Sequence, residues 1–201
     1  WKRHKTLPLW FLNRFSREFN VYDYNLDGCK IGIYSGENEL PLNLEIDKNL
    51  CRLLGYFISE GSAGEHGIVF SFGEHEIEYI NDVKNIIKNL FGFNIGEFEK
   101  NNAVQLEIRS KLLSILFKDI LRTGFNAKSK RVPNLIYSLD NEIKVEFLKS
   151  YINGDGSKLI IENFNYRPQV CISTSSVSEA LTNDIIALYS QLGFHVNYQE
   201  V

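Results

Sequence analysis

The 201-residue chain contains no methionine, and its first residue is a tryptophan. A free-standing open reading frame is not expected to look this way, and the sequence reads as a piece of a larger polypeptide. Cysteine is scarce too. Cys29, Cys51 and Cys171 form no CxxC pair and are odd in number, which argues against a disulfide framework and for a reduced, cytoplasmic setting. Apolar runs long enough to cross a bilayer are missing, and no signal-peptide pattern opens the chain, so no membrane partner is expected. An excess of positive charge is also absent. The formal net charge of -3 argues mildly against a nucleic-acid partner but leaves local Lys and Arg free to bind phosphate.

What is present is the balance of a globular chain, 44% hydrophobic and 23% charged, long enough for one large domain or two small ones. Residues 1–46 differ from the rest. "LPLWFLNRFSREF" (7–19) has helical spacing, and the β-prone runs on either side of Asp27-Gly28 signal a hairpin. We expect an accessory region there, linked to the main domain. From Asp47, an N-cap for "KNLCRLLGYFISE", the pattern sharpens into a helix stopped by Gly61. After a short turn a strand follows at 67–73, then a helix with Ile77, Ile80, Val83, Ile87 and Leu90 on one face, ending at Gly92. Strands at 94–99 and 103–109 and a helix over 110–123 complete the unit.

The second half replays this order. A helix over 141–155 ends at Gly156; strands follow ("SKLIIENF" and 167–174), then a helix with Leu181, Ile185, Leu188 and Leu192 on one face. Glu60 and Asp155 lie 95 positions apart, and Gly92-Phe93 and Gly193-Phe194 lie 101 apart. Two offsets this close indicate an internal duplication, with halves at 47–140 and 141–201, the second cut short.

Aligned on their acids, "YFISEGS" (56–62) and "YINGDGS" (151–157) bring Gly55 and Ser59 opposite Ser150 and Gly154. Small residues four apart share one helix face and let two backbones approach. The two helices are therefore expected to pack along a pseudo-two-fold axis, with Glu60 and Asp155 side by side at one end. Folding gains nothing from that. Each carboxylate faces the negative end of a helix dipole, and the pair repels itself. A divalent cation resolves both problems, and hard carboxylates suit Mg2+.

These residues resemble those of the LAGLIDADG (dodecapeptide) homing endonucleases. "LLGYFISEG" (53–61) and "LKSYINGDG" (148–156) look like the two family motifs, and the resemblance covers roughly 45–201. "NAKSKRVPNLIYS" (126–138) resembles the block between the motifs in intein-borne endonucleases, and the lead-in "LEIDKNLCRLLGYFISEGSA" is most like the endonuclease domains of inteins in archaeal DNA polymerases. The resemblance implies an α+β fold, a pseudo-two-fold duplicated αββαββα unit whose two sheets form a saddle over double-stranded DNA. It implies a monomer, a long asymmetric target site, and Mg2+-dependent hydrolysis of phosphodiester bonds. Glu60, Asp155 and Lys130 would be catalytic, the two acids holding the metal.

Polar residues alternate with apolar ones along the strands, and the DNA contacts implied are Gln105, Arg109, Lys128, Arg131, Lys158, Arg167, Gln169 and Ser173. The resemblance also implies an intein splicing domain and host extein in the parent polypeptide, with splicing residues outside this chain. The rival readings are a non-cleaving relative of the same fold, an RNA maturase or DNA-binding regulator, and a module in which the helix pair serves packing alone.

Overall fold

The computed structural model describes residues 14, 17, 28–33, 38–100, 102–157, 160–164 and 167–199; side chains at position 100 and over 158–170 are outside this description. Most of the expected helix at 7–19 and the residues before Gly28 lie outside it as well. Within it, β1 (Lys30–Gly32) pairs antiparallel with β2 (Glu39–Pro41). Leu40 of β2 is buried in the main core, and Asn38 Nδ2 donates to the Arg109 carbonyl at 2.6 Å. This ribbon is docked on the first half.

Helix α1 (Lys48–Glu60) starts as its cap predicts, with Asp47 accepting from the Leu50 amide at 2.8 Å. Its stop at Gly61 does not use a left-handed backbone. Gly61 is extended (φ -96°, ψ 162°) and runs directly into β3 (Gly61–Ala63), a strand where the sequence suggested a turn. Glycine is needed there for space: a Cβ would lie 2.7 Å from the Phe57 carbonyl oxygen and against the Phe57 ring. Gly156 repeats this at the end of α4 (Asn141–Asp155), where a Cβ would strike Ile152.

The first-half sheet has the order β3, β4 (Ile68–Gly73), β6 (Ala103–Ile108), β5 (Gly96–Lys100), all antiparallel. Period-2 alternation sets its faces. Ile68, Phe70, Phe72, Val104, Leu106 and Ile108 point into the core, and Val69, Ser71, Gln105 and Glu107 occupy the open face. Helix α2 (Ile77–Phe91) covers the core with Ile80, Val83 and Ile87 and ends at left-handed Gly92 (φ 69°). Ile77, expected on that face, is 62% exposed in the first turn.

The expected helix over 110–123 is shorter. Ser110 caps α3 (Lys111–Ile115), which widens into a π turn over Leu116–Ile120 and stops. Two groups of buried Thr123, its amide and its hydroxyl, donate to the Phe117 carbonyl, and Arg122 adopts φ 56°; together they end the helix. Short 3-10 turns at Ala127–Ser129 and Asn134–Ser138 lead to α4.

In the second half, Gly156 bridges to Thr174, as Gly61 pairs with Phe70 in the first. The hairpin β7 (Ile160–Phe164) and β8 (Arg167–Cys171) follows, and the second strand ends three residues earlier than expected. Helix α5 (Glu179–Gln191) is capped by Ser178 and buries Leu181, Ile185 and Leu188; left-handed Gly193 (φ 82°) matches Gly92. Among the described residues no helix is long and apolar enough to cross a membrane.

Candidate active site

Helices α1 and α4 form the most extensive contact between two elements of the structure. They run in the same direction. Lys48 pairs with Glu142 at 2.8 Å at their starts, and Arg52 sits between Asp82 (2.8 Å) and Glu146 (3.7 Å) one turn on. The four small residues lie between the two helices. A Cβ on Gly55 would overlap Ser150 Oγ and the Phe147 carbonyl, and one on Gly154 would lie 2.5 Å from Ser59 Cβ and 2.7 Å from Glu60 Oε1. Each glycine therefore faces its own counterpart's serine, as a two-fold axis between parallel helices requires. Both serines turn their hydroxyls into their own helices. Ser59 donates to the carbonyls of Gly55 and Tyr56 (3.3 Å each), and Ser150 to those of Glu146 and Phe147 (3.1 and 2.9 Å), so the close face carries no unmet donor.

This approach brings Glu60 and Asp155 together, both half-buried. Burial is the main force on each. It raises Glu60 from 4.5 to about 7, with added repulsion from Asp155 and from Glu76, while Lys130 opposes the shift. It raises Asp155 from 3.8 to about 6, again opposed by Lys130. Glu76 is a carboxylate that sequence reasoning missed; at the start of α2 it accepts from the Gly73 amide at 2.6 Å.

Lys130 lies beneath the carboxylates rather than in the open site. It is 2% exposed, its ammonium sits 3.9 Å from the Phe57 ring centroid, and it donates to the Phe57 carbonyl. That carbonyl lies in the last turn of α1, so Lys130 places a cation at the negative end of the helix dipole. Burial lowers the amine from 10.5 to about 7, against the pull of Asp155 and Glu60. A charge network absent from the sequence reading thus joins three groups that the sequence had singled out.

The expected DNA contacts divide. Gln105 lies on the open sheet face, in register with Ser71 and Phe98. Arg109 is exposed but pairs with Glu107 of that face at 3.1 Å. Lys128 is exposed in the 3-10 turn at Ala127–Ser129. Ser173 is exposed and hydrogen bonded to Ser157 Oγ at 2.8 Å. Arg131 is exposed, and Asp184 of α5 holds its guanidinium in a two-pronged pair (2.6 and 3.0 Å). Arg167 and Gln169 have their backbone in β8, but their side chains, like the whole of Lys158, fall outside the described residues. Among those residues there is no cluster of three or more His, Cys, Asp and Glu that would enclose a metal; the pair offers two oxygen donors and an open side.

Comparison with known proteins adds three findings. No protein-family profile matches the chain. Among curated proteins, it is 36% identical over 178 residues to an uncharacterized protein of Methanocaldococcus jannaschii (83% of this chain, 19% of that protein). It is 34% identical over 188 residues to the DNA polymerase II large subunit of Thermococcus kodakarensis (92% and 10%). It is 30% identical over 180 residues to transcription initiation factor IIB of M. jannaschii (88% and 24%). The chain thus spans between a tenth and a quarter of the length of these relatives. Among solved structures it is similar to I-DmoI in complex with DNA and Mn, with a TM-score of 0.51 and 16% identity over 74% of this chain and 80% of that one. The α+β fold is that of the LAGLIDADG homing endonuclease I-DmoI.

Proposed function

We propose that the chain is the endonuclease part of a longer, self-splicing polypeptide and that it cuts double-stranded DNA at a specific site using Mg2+. The observation that carries this reading is the meeting of Glu60 and Asp155 at the ends of two helices packed through Gly55 and Gly154. A fold selected for stability alone would not bury two facing acids at helix C-termini. The I-DmoI complex, a fold relative with DNA and Mn, supports the choice of ligands.

The donor set fits a hard divalent ion. Two carboxylates with room for water and phosphate oxygens match the sparse protein coordination that Mg2+ accepts. When bound, the cation supplies Lewis-acid activation of water and charge stabilisation at the leaving 3′ oxygen. Glu60 and Asp155 hold that charge and, once ionised, orient the attacking water. Lys130 fixes the last turn of α1, and from beneath it offsets the negative charge that accumulates at the scissile phosphate. Gln105 on the open sheet face and exposed Lys128 are suited to base-edge and phosphate contacts. The insertion reading has its own support. Similar stretches form small fractions of a polymerase subunit and an initiation factor, proteins with unrelated tasks, as expected of an element that moves between hosts.

The test is incubation of the protein with plasmids carrying uninterrupted host genes, with Mg2+ or with EDTA. Site-specific linear product is expected with Mg2+ only. Cutting that persists in EDTA or in the double variant Glu60→Gln/Asp155→Asn would sink the metal mechanism, and retarded but uncut DNA would favour a non-cleaving binder.

A further inference from the structure

Lys130 directly follows the short 3-10 turn at Ala127–Ser129 in an otherwise irregular loop, yet it is more completely buried than any other charged residue described. Within the first half the Arg131 amide donates to the Thr123 carbonyl at 3.0 Å, and the Lys130 ammonium to the Phe57 carbonyl; the remaining contacts come from the other half of the molecule. Ser178, the N-cap of α5, donates from Oγ to the Lys130 carbonyl at 2.9 Å and accepts from the Leu181 amide at 3.2 Å. Asp184, two turns into α5 and 8% exposed, accepts from Arg131 Nε and Nη2 (2.6 and 3.0 Å) and from the Val132 amide (3.1 Å). Its own carbonyl accepts from the Tyr137 hydroxyl at 3.1 Å, closing the clamp beyond the loop. The carbonyl of Lys130, the side chain of Arg131 and the amide of Val132 are therefore all fixed by one helix. An aspartate on the buried face of a helix is expensive unless it is paired in this way, and the donors to its carboxylate among the described residues, Arg131 and Val132, belong to the lysine loop.

We propose that Asp184 and Ser178 are positioning residues of the active site: α5 of the second half sets where Lys130 of the first half stands beneath the two carboxylates. The role given to Lys130 rests on the nuclease reading above; the clamp itself does not. Neither residue reaches the open site. Their effect passes through the loop backbone, and loss of the clamp would let the lysine side chain leave its buried seat under the end of α1.

The variant Asp184→Asn keeps the shape and an acceptor for Val132 but opposes the guanidinium with an amide; Ser178→Ala removes the hydroxyl and keeps the ion pair. Acetylation by an N-hydroxysuccinimide ester, followed by mass spectrometry, reads the accessibility of Lys130, with buried Lys144 (8% exposed) as internal reference. Lys130 should become roughly tenfold more reactive in Asp184→Asn, the scale expected when a charge-assisted pair is lost, while Lys144 stays unchanged. Single-turnover DNA cleavage should slow by a similar factor with DNA affinity held within about twofold, a loss in the chemical step and not in binding. If Lys130 remains as protected as in the unaltered chain in both variants, or if both lysines open together in both, the proposal is overturned. Where Asp184→Asn alone opens both, Ser178→Ala decides by the same comparison. An unaltered chain that binds but never cuts DNA would refute the nuclease reading and leave the acetylation result to decide the clamp.

Discussion

Replacing Glu60 by Gln removes one charge from the site with almost no change in volume, and the structure fixes the sign of the result. Glu60 moves from 4.5 to about 7 on folding, chiefly because it is buried and secondarily because Asp155 and Glu76 face it. At pH values below 4.5 the side chain is neutral in both the folded and the unfolded chain, and its burial is tolerated. As pH rises toward 7 the unfolded chain ionises freely while the folded one resists. Stability is therefore full at low pH and is lost as pH climbs through about 7. The full interval corresponds to about 3 kcal/mol at roughly 1.4 kcal/mol per pH unit. Water reaches part of this carboxylate, so about 1–2 kcal/mol is the realistic loss.

Glu60→Gln escapes that loss. In metal-free buffer the variant should match the parent near pH 4 and exceed it by about 1–2 kcal/mol at pH 8 in urea unfolding. Asp155 and Lys130 also titrate across this range, but they are present in both proteins and largely cancel in the difference. Millimolar Mg2+ should then raise the melting temperature of the parent at pH 8 and leave the variant nearly unmoved, because only the ionised pair binds the cation. A variant less stable than the parent at pH 8, or a gap of equal size at pH 4 and pH 8, would refute the claim that the site is held against its own charge.

Gly55→Ala should destabilise the chain by about 2 kcal/mol, because the added methyl meets the Phe147 backbone and Ser150 and overrides the roughly 1 kcal/mol that alanine gains in a helix; in Gly64→Ala, where the nearest atom is 3.9 Å away, urea midpoints should barely move. Lys130→Met should slow DNA cleavage by about 100-fold or more with DNA affinity unchanged in gel-shift titration, and an equal loss in binding would place Lys130 among the DNA contacts instead. In native thiol titration Cys29, which is exposed, should react at once, whereas Cys51 should stay inert until unfolding, since its thiol is buried and pushed up to about 12.

The elements legible in the sequence were those set by local rules. Asp47 before an apolar face, Gly92 and Gly193 after one, and the alternation of Val104, Leu106 and Ile108 each act within a few residues, and the structure keeps all of them. The helix pair was legible for another reason: duplication lets one stretch of sequence report on its partner. What escaped depends on contacts distant in sequence. The end of α3 is set by Thr123 turning back on Phe117, and the open-faced helix spacing of residues 116–123 gives no sign of it. The pairing of Arg131 with Asp184 was hidden because the two lie 53 positions apart. A signal for that partner did exist. Asp184 falls between Leu181 and Leu188 on the apolar face of its helix, and an acid there needs a cation. Reading the buried faces of helices for misplaced charges would have found it.

The two halves repeat their backbone more faithfully than their electrostatics. Gly61 and Gly156 leave their helices in the same extended conformation, and Ser59 and Ser150 bond into their helices in the same way. The compensating cation, by contrast, is anchored on one side only, although its charge acts on both acids. Lys130 sits at the end of α1 beneath Phe57, while at the end of α4 the Gly156 amide caps the Ile152 carbonyl. Burial raises both acids, and repulsion from Asp155 and Glu76 adds to the rise of Glu60. The symmetric part of the site is therefore fixed by sterics, by four small residues that admit no alternative spacing. Its chemical part is fixed by an asymmetric loop, and that loop is held by α5. In such an arrangement the halves can diverge in electrostatics without disturbing the axis, and a change in Asp184 reaches the carboxylates while leaving Gly55 and Gly154 in place.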